Sequence, residues 1–192
     1  METSISLLDR LAGAPGDGDW HQLLDLYQPL LRAWAARGGV ADADADDLIQ
    51  EVLIVVFREV GGFDRRGSGA FRAWLRAILA RRVRDHFRSR TRRATATGGS
   101  AAVWQLDELE SPGTALSQLW DREHDEYVAS GLMRRVRPDF TAATWQAFVR
   151  HVLEGEPVDR VATELGLSVN SVLLAKSRIL KRIREEMAGL VE

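Results

Sequence analysis

The 192-residue chain has no cysteine. That excludes disulfides and thiolate zinc sites and fits a reducing compartment. Its four histidines, His21, His86, His124 and His151, lie far apart, so no metal-ligand cluster is visible and neither a metal nor a cofactor is expected. No run of about 18 apolar residues occurs, so membrane insertion is not expected. The opening METSISLLDRLAGAPG lacks the basic start and long apolar run of a signal peptide. Together these absences lead to the expectation of a cytoplasmic protein. No alternating strand pattern and no internal repeat is found. Apolar residues make up 45 % of the chain, enough for cores, and the length suits one large domain or two small ones.

Charge is present in blocks. The formal net charge is only −2. Residues 76–93 nevertheless hold eight arginines against one aspartate, residues 42–51 hold five acids and no base, and residues 107–126 hold seven acids against Arg122. With both signs segregated, local fields decide partners and the global charge does not. Two basic elements, 76–93 and 176–184, are the footprint of a nucleic-acid binder.

Residues 1–19 are weakly patterned and form a turn-rich lead. From Trp20 a helical pattern runs through Leu23, Leu24, Tyr27, Leu30, Leu31 and Trp34, with Pro29 a candidate kink. A second helix places Ala45, Leu48, Ile49, Val52, Val56 and Val60 on one face. Asp42, Asp44 or Asp46 could cap its start. Its other face carries Asp47, Gln50, Glu51, Ile54 and Arg58. Three readings of that face stand side by side: a solvated face, a protein interface, or a carboxylate metal site for hydrolysis at Asp42–Glu51. A glycine-rich loop over 61–69 opens a long helix whose apolar positions are Phe71, Trp74, Leu75, Ile78, Leu79, Val83 and Phe87. Arginines interleaved with aromatics there suit a groove that tracks a nucleic-acid backbone. Phe71 and Trp74 at helical spacing also suit a core, and Trp74 is the one expected inside it. Residues 94–115 lose periodicity and read as a flexible linker between two domains.

Helices resume at residue 116, through Leu116, Leu119, Trp120 and Tyr127. Another helix carries Trp145, Phe148, Val149, Val152 and Leu153. Then Val158, Val161, Ala162 and Leu165 form one face of a short helix with Pro157 at its first position. Gly166 ends it, Ser168 is placed to cap the next helix, and Val172, Ala175, Ile179, Ile183 and Met187 form that helix's apolar stripe. A helix, a short turn with glycine and a second helix that is apolar behind and polar in front make the pattern of a helix-turn-helix. Lys176, Arg178, Lys181, Arg182 and Arg184 place five cations within nine residues of it. A solvated helical hairpin is the plainer alternative for this stretch. The expected fold is therefore all-α: two small helical domains, residues 20–93 and 116–192, joined by the linker 94–115, the second domain a helix-turn-helix.

Four segments in this order resemble a bacterial RNA polymerase sigma factor of the sigma-70 family, extracytoplasmic-function (ECF) group, over roughly 20–93 and 116–187. The run Asp47-Leu48-Ile49-Gln50-Glu51 resembles the core-polymerase-binding helix. Phe63-Asp64-Arg65-Arg66-Gly67, followed by Ala70-Phe71-Arg72-Ala73-Trp74-Leu75, resembles the minus-ten recognition and melting segment. The arginine-rich tail to Arg93 resembles the end of that domain, and Thr144 to Glu186 the minus-thirty-five-binding domain. The resemblance implies a non-enzymatic subunit that binds core RNA polymerase and directs promoter recognition, DNA melting and transcription initiation. It assigns Asp47, Gln50, Glu51 and Ile54 to the polymerase. It assigns Phe63, Arg65, Arg66, Ser68, Phe71, Arg76, Arg81, Arg82, Arg84 and Arg88 to minus-ten DNA. There, extruding a base costs a few kcal/mol that a loop and its stacking must repay. To minus-thirty-five DNA it assigns Ser168, Val169, Asn170, Leu173, Leu174, Lys176, Ser177, Arg178, Lys181 and Arg182. Family members are often held by an anti-sigma factor, which the resemblance implies by analogy only. Leu173 and Ala175 stand where basic residues are frequent in the family, and Arg81 and Asp85 where small amides are frequent. The alternative is a stand-alone helix-turn-helix regulator with an N-terminal sensing domain.

Overall fold

The computed structural model describes residues 7–13, 15–64, 69–93 and 106–187. Helix α1 spans Leu7–Ala12, α2 Asp17–Arg37, α3 Asp42–Glu59 and α4 Ala70–Arg93. Helix α5 covers residues 106–110. Helix α6 spans Ala115–Val136, α7 Ala142–Phe148, α8 Val158–Leu165 and α9 Val169–Met187. No strand is present among the described residues. The chain divides into two units by packing, the described residues up to Val128 and those from Ala129 to Met187.

The first unit is built on the periodicity of α2, α3 and α4. Leu23, Tyr27, Leu30, Leu31 and Trp34 of α2, Ala45 through Val56 of the expected α3 face, and Phe71, Leu75, Leu79 and Val83 of α4 are all buried. Pro29 sits inside α2 without dividing it. Helix α3 starts at Ala41, with no side-chain cap. Two of the aspartates expected to cap it are used elsewhere: Asp44 accepts from Arg90 Nη1 at 2.5 Å, and Asp46 is paired with Arg32. The lead is part of the fold, because Leu7, Leu8 and Leu11 of α1 are buried.

Two expectations are corrected in this unit. The linker does not extend to residue 115, since α5 buries Leu106 and Leu109. Nor does the packing divide at residue 116. Helix α6 as far as Val128 belongs to the first unit, where Trp120 is fully buried and meets Trp34 edge-on at 5.1 Å. Linker composition concealed this, because the segment's apolar residues are few and are spread between acids.

The second unit has two apolar clusters. One joins Ala147, Val161, Ala162, Val172 and Ala175, so α7, α8 and α9 lock together. The other joins Val136, Phe148, Ile179 and Ile183. Gly166 adopts φ 65°, the left-handed conformation that ends α8 and turns the chain into α9. Ser168 Oγ accepts from Ser171 N at 3.1 Å and caps α9 as the sequence implied. The helix through Trp145 is not regular. After Phe148 it passes into a π turn over Val149–Leu153, whose wider winding rotates the stripe, and Leu153 is 53 % exposed.

Candidate nucleic-acid and protein interfaces

Helix α3 offers the clearest outward surface of the first unit. Its buried face leaves Asp47, Gln50 and Glu51 exposed, with Ile54 47 % and Phe57 59 % exposed beside them. Sequence reasoning missed Phe57, although it lies three residues beyond Ile54 and seven beyond Gln50. Its ring touches Trp20 with centroids 4.6 Å apart. Two large apolar side chains exposed among acids make an amphipathic surface suited to another protein.

At the start of α4, Arg65, Arg66 and Ser68, which the resemblance assigns to minus-ten DNA, lie outside the described residues. Phe63 stacks on Trp74 at 4.7 Å, the planes 24° apart. Phe71 is only 2 % exposed and meets Tyr27 edge-on. It is therefore a core residue rather than a DNA contact, while Trp74, the aromatic expected inside, is half-buried. A helix turns about 100° per residue, so the choice of which of two aromatics three apart faces inward is made by the neighbours, here Tyr27.

The arginines of α4 separate into sets. Arg76 is 4 % exposed, and its Nη1 donates to Asp121 Oδ1 at 2.9 Å. A phosphate could reach it only if Asp121 withdrew. Arg84 Nη2 donates to Asp107 and to Glu110, each at 2.9 Å, and Arg81 Nε donates to Glu110 at 3.3 Å. Burial works against it, but the bonds from Arg84 and Arg81 hold the Glu110 carboxyl below the usual glutamate range. Arg82 is half-buried and Arg88 exposed, and neither pairs with a carboxylate among the described residues.

Behind α4 runs a polar chain that fastens α6. Tyr27 Oη lies 3.2 Å from His124 Nε2, and His124 Nδ1 lies 3.0 Å from Asp125 Oδ1. Asp125 Oδ2 accepts from Arg72 at 2.7 Å. The tautomer that satisfies both histidine bonds carries its proton on Nδ1, with the phenol donating to Nε2. Burial, with the Asp125 charge adding, pushes the Tyr27 phenol well above its ordinary range. Against the effect of burial, the His124 bond and the Arg72 charge hold the Asp125 carboxyl low. Among the described residues no group of three or more His, Asp or Glu is placed to hold a metal ion.

In the second unit, α9 presents one outward face. Asn170, Leu173, Leu174, Ser177, Arg178 and Lys181 are all exposed, opposite the buried Val172, Ala175, Ile179 and Ile183. Lys176 lies exposed at its flank, and Ser168 and Val169 are exposed at its start. Leu173 and Leu174, 45 % and 44 % exposed, are large apolar groups with nothing over them. Arg182 is drawn back, donating to Asp139 at 3.0 Å and to Glu186 at 2.6 Å. Arg150 bridges the π turn to α8, pairing with Glu156 at 2.6 Å and with Glu164.

A helical unit carrying the arginine-rich α4, followed by a helical unit whose α9 turns a polar and cationic face outward, has the form of a two-part helical DNA-binding protein. The model of Sigma-70 region 2 matches residues 23–93. The ECF RNA polymerase sigma factor SigF of Caulobacter vibrioides (strain NA1000 / CB15N) is 30 % identical over 189 residues, which is 97 % of this chain and 95 % of that protein. The chain belongs to the extracytoplasmic-function group of sigma-70 family sigma factors. Its partners are core RNA polymerase and promoter DNA, and its function is to direct transcription initiation.

Proposed function

We propose that the polymerase is held by the outward face of α3, Asp47, Gln50, Glu51 and Ile54, extended by Phe57. The observation that carries this is the exposure of two large apolar residues in line with the acids, on a helix whose opposite face is fully committed to the core. Minus-ten DNA is taken by Phe63 and the loop after it, with Arg81, Arg82, Arg84 and Arg88 holding phosphates around the melted segment. Arg76 and Phe71 serve the fold beneath this surface. Asn170, Leu173, Leu174, Ser177, Arg178 and Lys181 of α9 meet the minus-thirty-five major groove, a reading supported by their shared exposure on one face. Leu173 and Leu174 there suit thymine methyl groups. The protein does no covalent chemistry itself and works in the cytoplasm, where the polymerase is.

The test is run-off transcription with core polymerase from the same source, on genomic fragments that include the region upstream of the protein's own coding sequence. Start-specific transcripts that appear only with the protein are expected. Their absence, together with tight binding to one duplex site without polymerase, would replace this reading with a stand-alone regulator. Within the working system, the pair Gln50→Ala and Glu51→Arg is expected to reduce polymerase pull-down while the circular dichroism stays unchanged.

A further inference from the structure

The acidic block of residues 107–126 and the basic block of α4 are not two independent features. Within the first unit they face each other. The pairing has two tiers, one from α6 and one from α5. Asp121 and Asp125 of α6 meet Arg72 and Arg76, whose side chains are 20 % and 5 % exposed. That tier is part of the core. Asp107 and Glu110 of α5 meet Arg84 and Arg81, and here Asp107 is 61 % and Arg81 68 % exposed. The pairs through Asp107 and Arg81 are therefore individually weak and easily exchanged, while Arg84 and Glu110, 21 % and 30 % exposed, are as shielded as Arg72 and Asp125.

The outer tier sits on the described part of α5, 106–110, where Leu106 and Leu109 are buried. Those leucines border a cavity of about 340 Å³, shared with Trp34, Leu79, Val83 and Leu116. The cavity opens to solvent, so α5 is bordered by it rather than packed on every side. On its C-terminal side Thr114 ties the turn, donating to Glu108 O at 2.5 Å. The segment is thus held at defined points beside an open cavity.

A carboxylate and a phosphate make the same demand on a guanidinium: both accept charge-assisted bonds from the same donors. While Arg84 donates to Asp107 and Glu110, those donors are not available to a DNA backbone. We propose that α5 is an internal, releasable competitor for DNA phosphate. In the free chain it occupies Arg81 and Arg84, and it must leave α4 before that surface closes on melted promoter DNA. This rests on the assignment of Arg81 and Arg84 to minus-ten DNA. It adds that the free subunit is held back from DNA by its own residues 106–110.

The experiment uses the full chain and a fluorescein-labelled single-stranded oligodeoxynucleotide of mixed sequence, read by anisotropy at fixed salt, because phosphate contacts carry no sequence information. Asp107→Asn with Glu110→Gln is expected to tighten binding roughly tenfold. Leu106→Ala with Leu109→Ala, which undocks α5 without changing charge, is expected to tighten it too. A control pair on exposed sites, Asp25→Asn with Glu59→Gln, removes the same two charges and is expected to change binding less than about twofold. Adding Arg81→Ala and Arg84→Ala to the first pair is expected to abolish the gain. No gain from Asp107→Asn with Glu110→Gln, or an equal gain from the control pair, would overturn the proposal. The same proteins are run with core polymerase: start-specific transcripts without any gain in free-chain binding would sink the competitor alone, whereas no transcripts from the unaltered chain would sink the sigma assignment beneath it.

Discussion

Single residues decide which of two similar side chains works and which supports. Phe71 and Trp74 stand three apart on α4. The first is enclosed against Tyr27 and the second stacks on Phe63 at the surface. On α3 the missed residue is Phe57, whose large exposure adds an apolar anchor to the face already marked by Ile54. Phe57→Ala is expected to weaken core-polymerase binding measurably in pull-down while leaving the thermal melt within a degree or two, because the ring is 59 % exposed and lies against Trp20 at the surface. A large loss of melting temperature would make Phe57 structural instead. On α9, Arg178→Ala is expected to lower promoter affinity by about 1–3 kcal/mol if its guanidinium reaches a base, and less if it reaches only phosphate. Leu173→Ala should lower affinity for a thymine-containing minus-thirty-five element but not for the same element carrying uracil. Equal losses on both would remove the methyl contact from the account.

Among the elements, α6 changes the picture most. Its first part was expected to begin the second domain, yet it completes the core of the first. Trp120, fully buried, donates its indole N–H to Arg72 O at 3.2 Å, and His124 is enclosed between Tyr27 and Asp125. Trp120→Ala is expected to destabilise the first unit by about 3–5 kcal/mol in urea unfolding, through the lost burial and the cavity left behind. A loss well under 1 kcal/mol would mean that α6 is only loosely attached. The Tyr27–His124–Asp125–Arg72 chain adds a pH dependence of known sign. Asp125 is held below the ordinary aspartate range in the fold, with Arg72 and His124 facing it. Its contribution is therefore complete above that range and is lost as pH falls through the lowered value. Amide protection factors along residues 115–128, taken against the intrinsic exchange rate at each pH, should fall on acidification in the unaltered protein. In Asp125→Asn they should be lower already at neutral pH and less sensitive to acid.

For the whole molecule, a net charge of −2 is the residue of blocks that neutralise one another internally. Acids at 107–125 meet arginines at 72–84, Asp44 meets Arg90, and Asp139 meets Arg182. The amino-acid sequence by itself determined the helices, their buried stripes and the turn between α8 and α9. Those depend on local spacing: the apolar positions of α3 and α9 repeat every three or four residues, Gly166 supplies the left-handed turn, and Ser168 supplies the cap. It also carried the family resemblance, because motif order is a linear property. What only the tertiary structure decided is which charges are free. Arg76, Arg81, Arg84 and Arg88 look alike along α4, and the carboxylates that claim the first three lie 23 to 45 residues further on. Periodicity reports which face of a helix is apolar. It carries no information about which distant side chain will meet a polar one, and that pairing is settled only when α5 and α6 fold back onto α4.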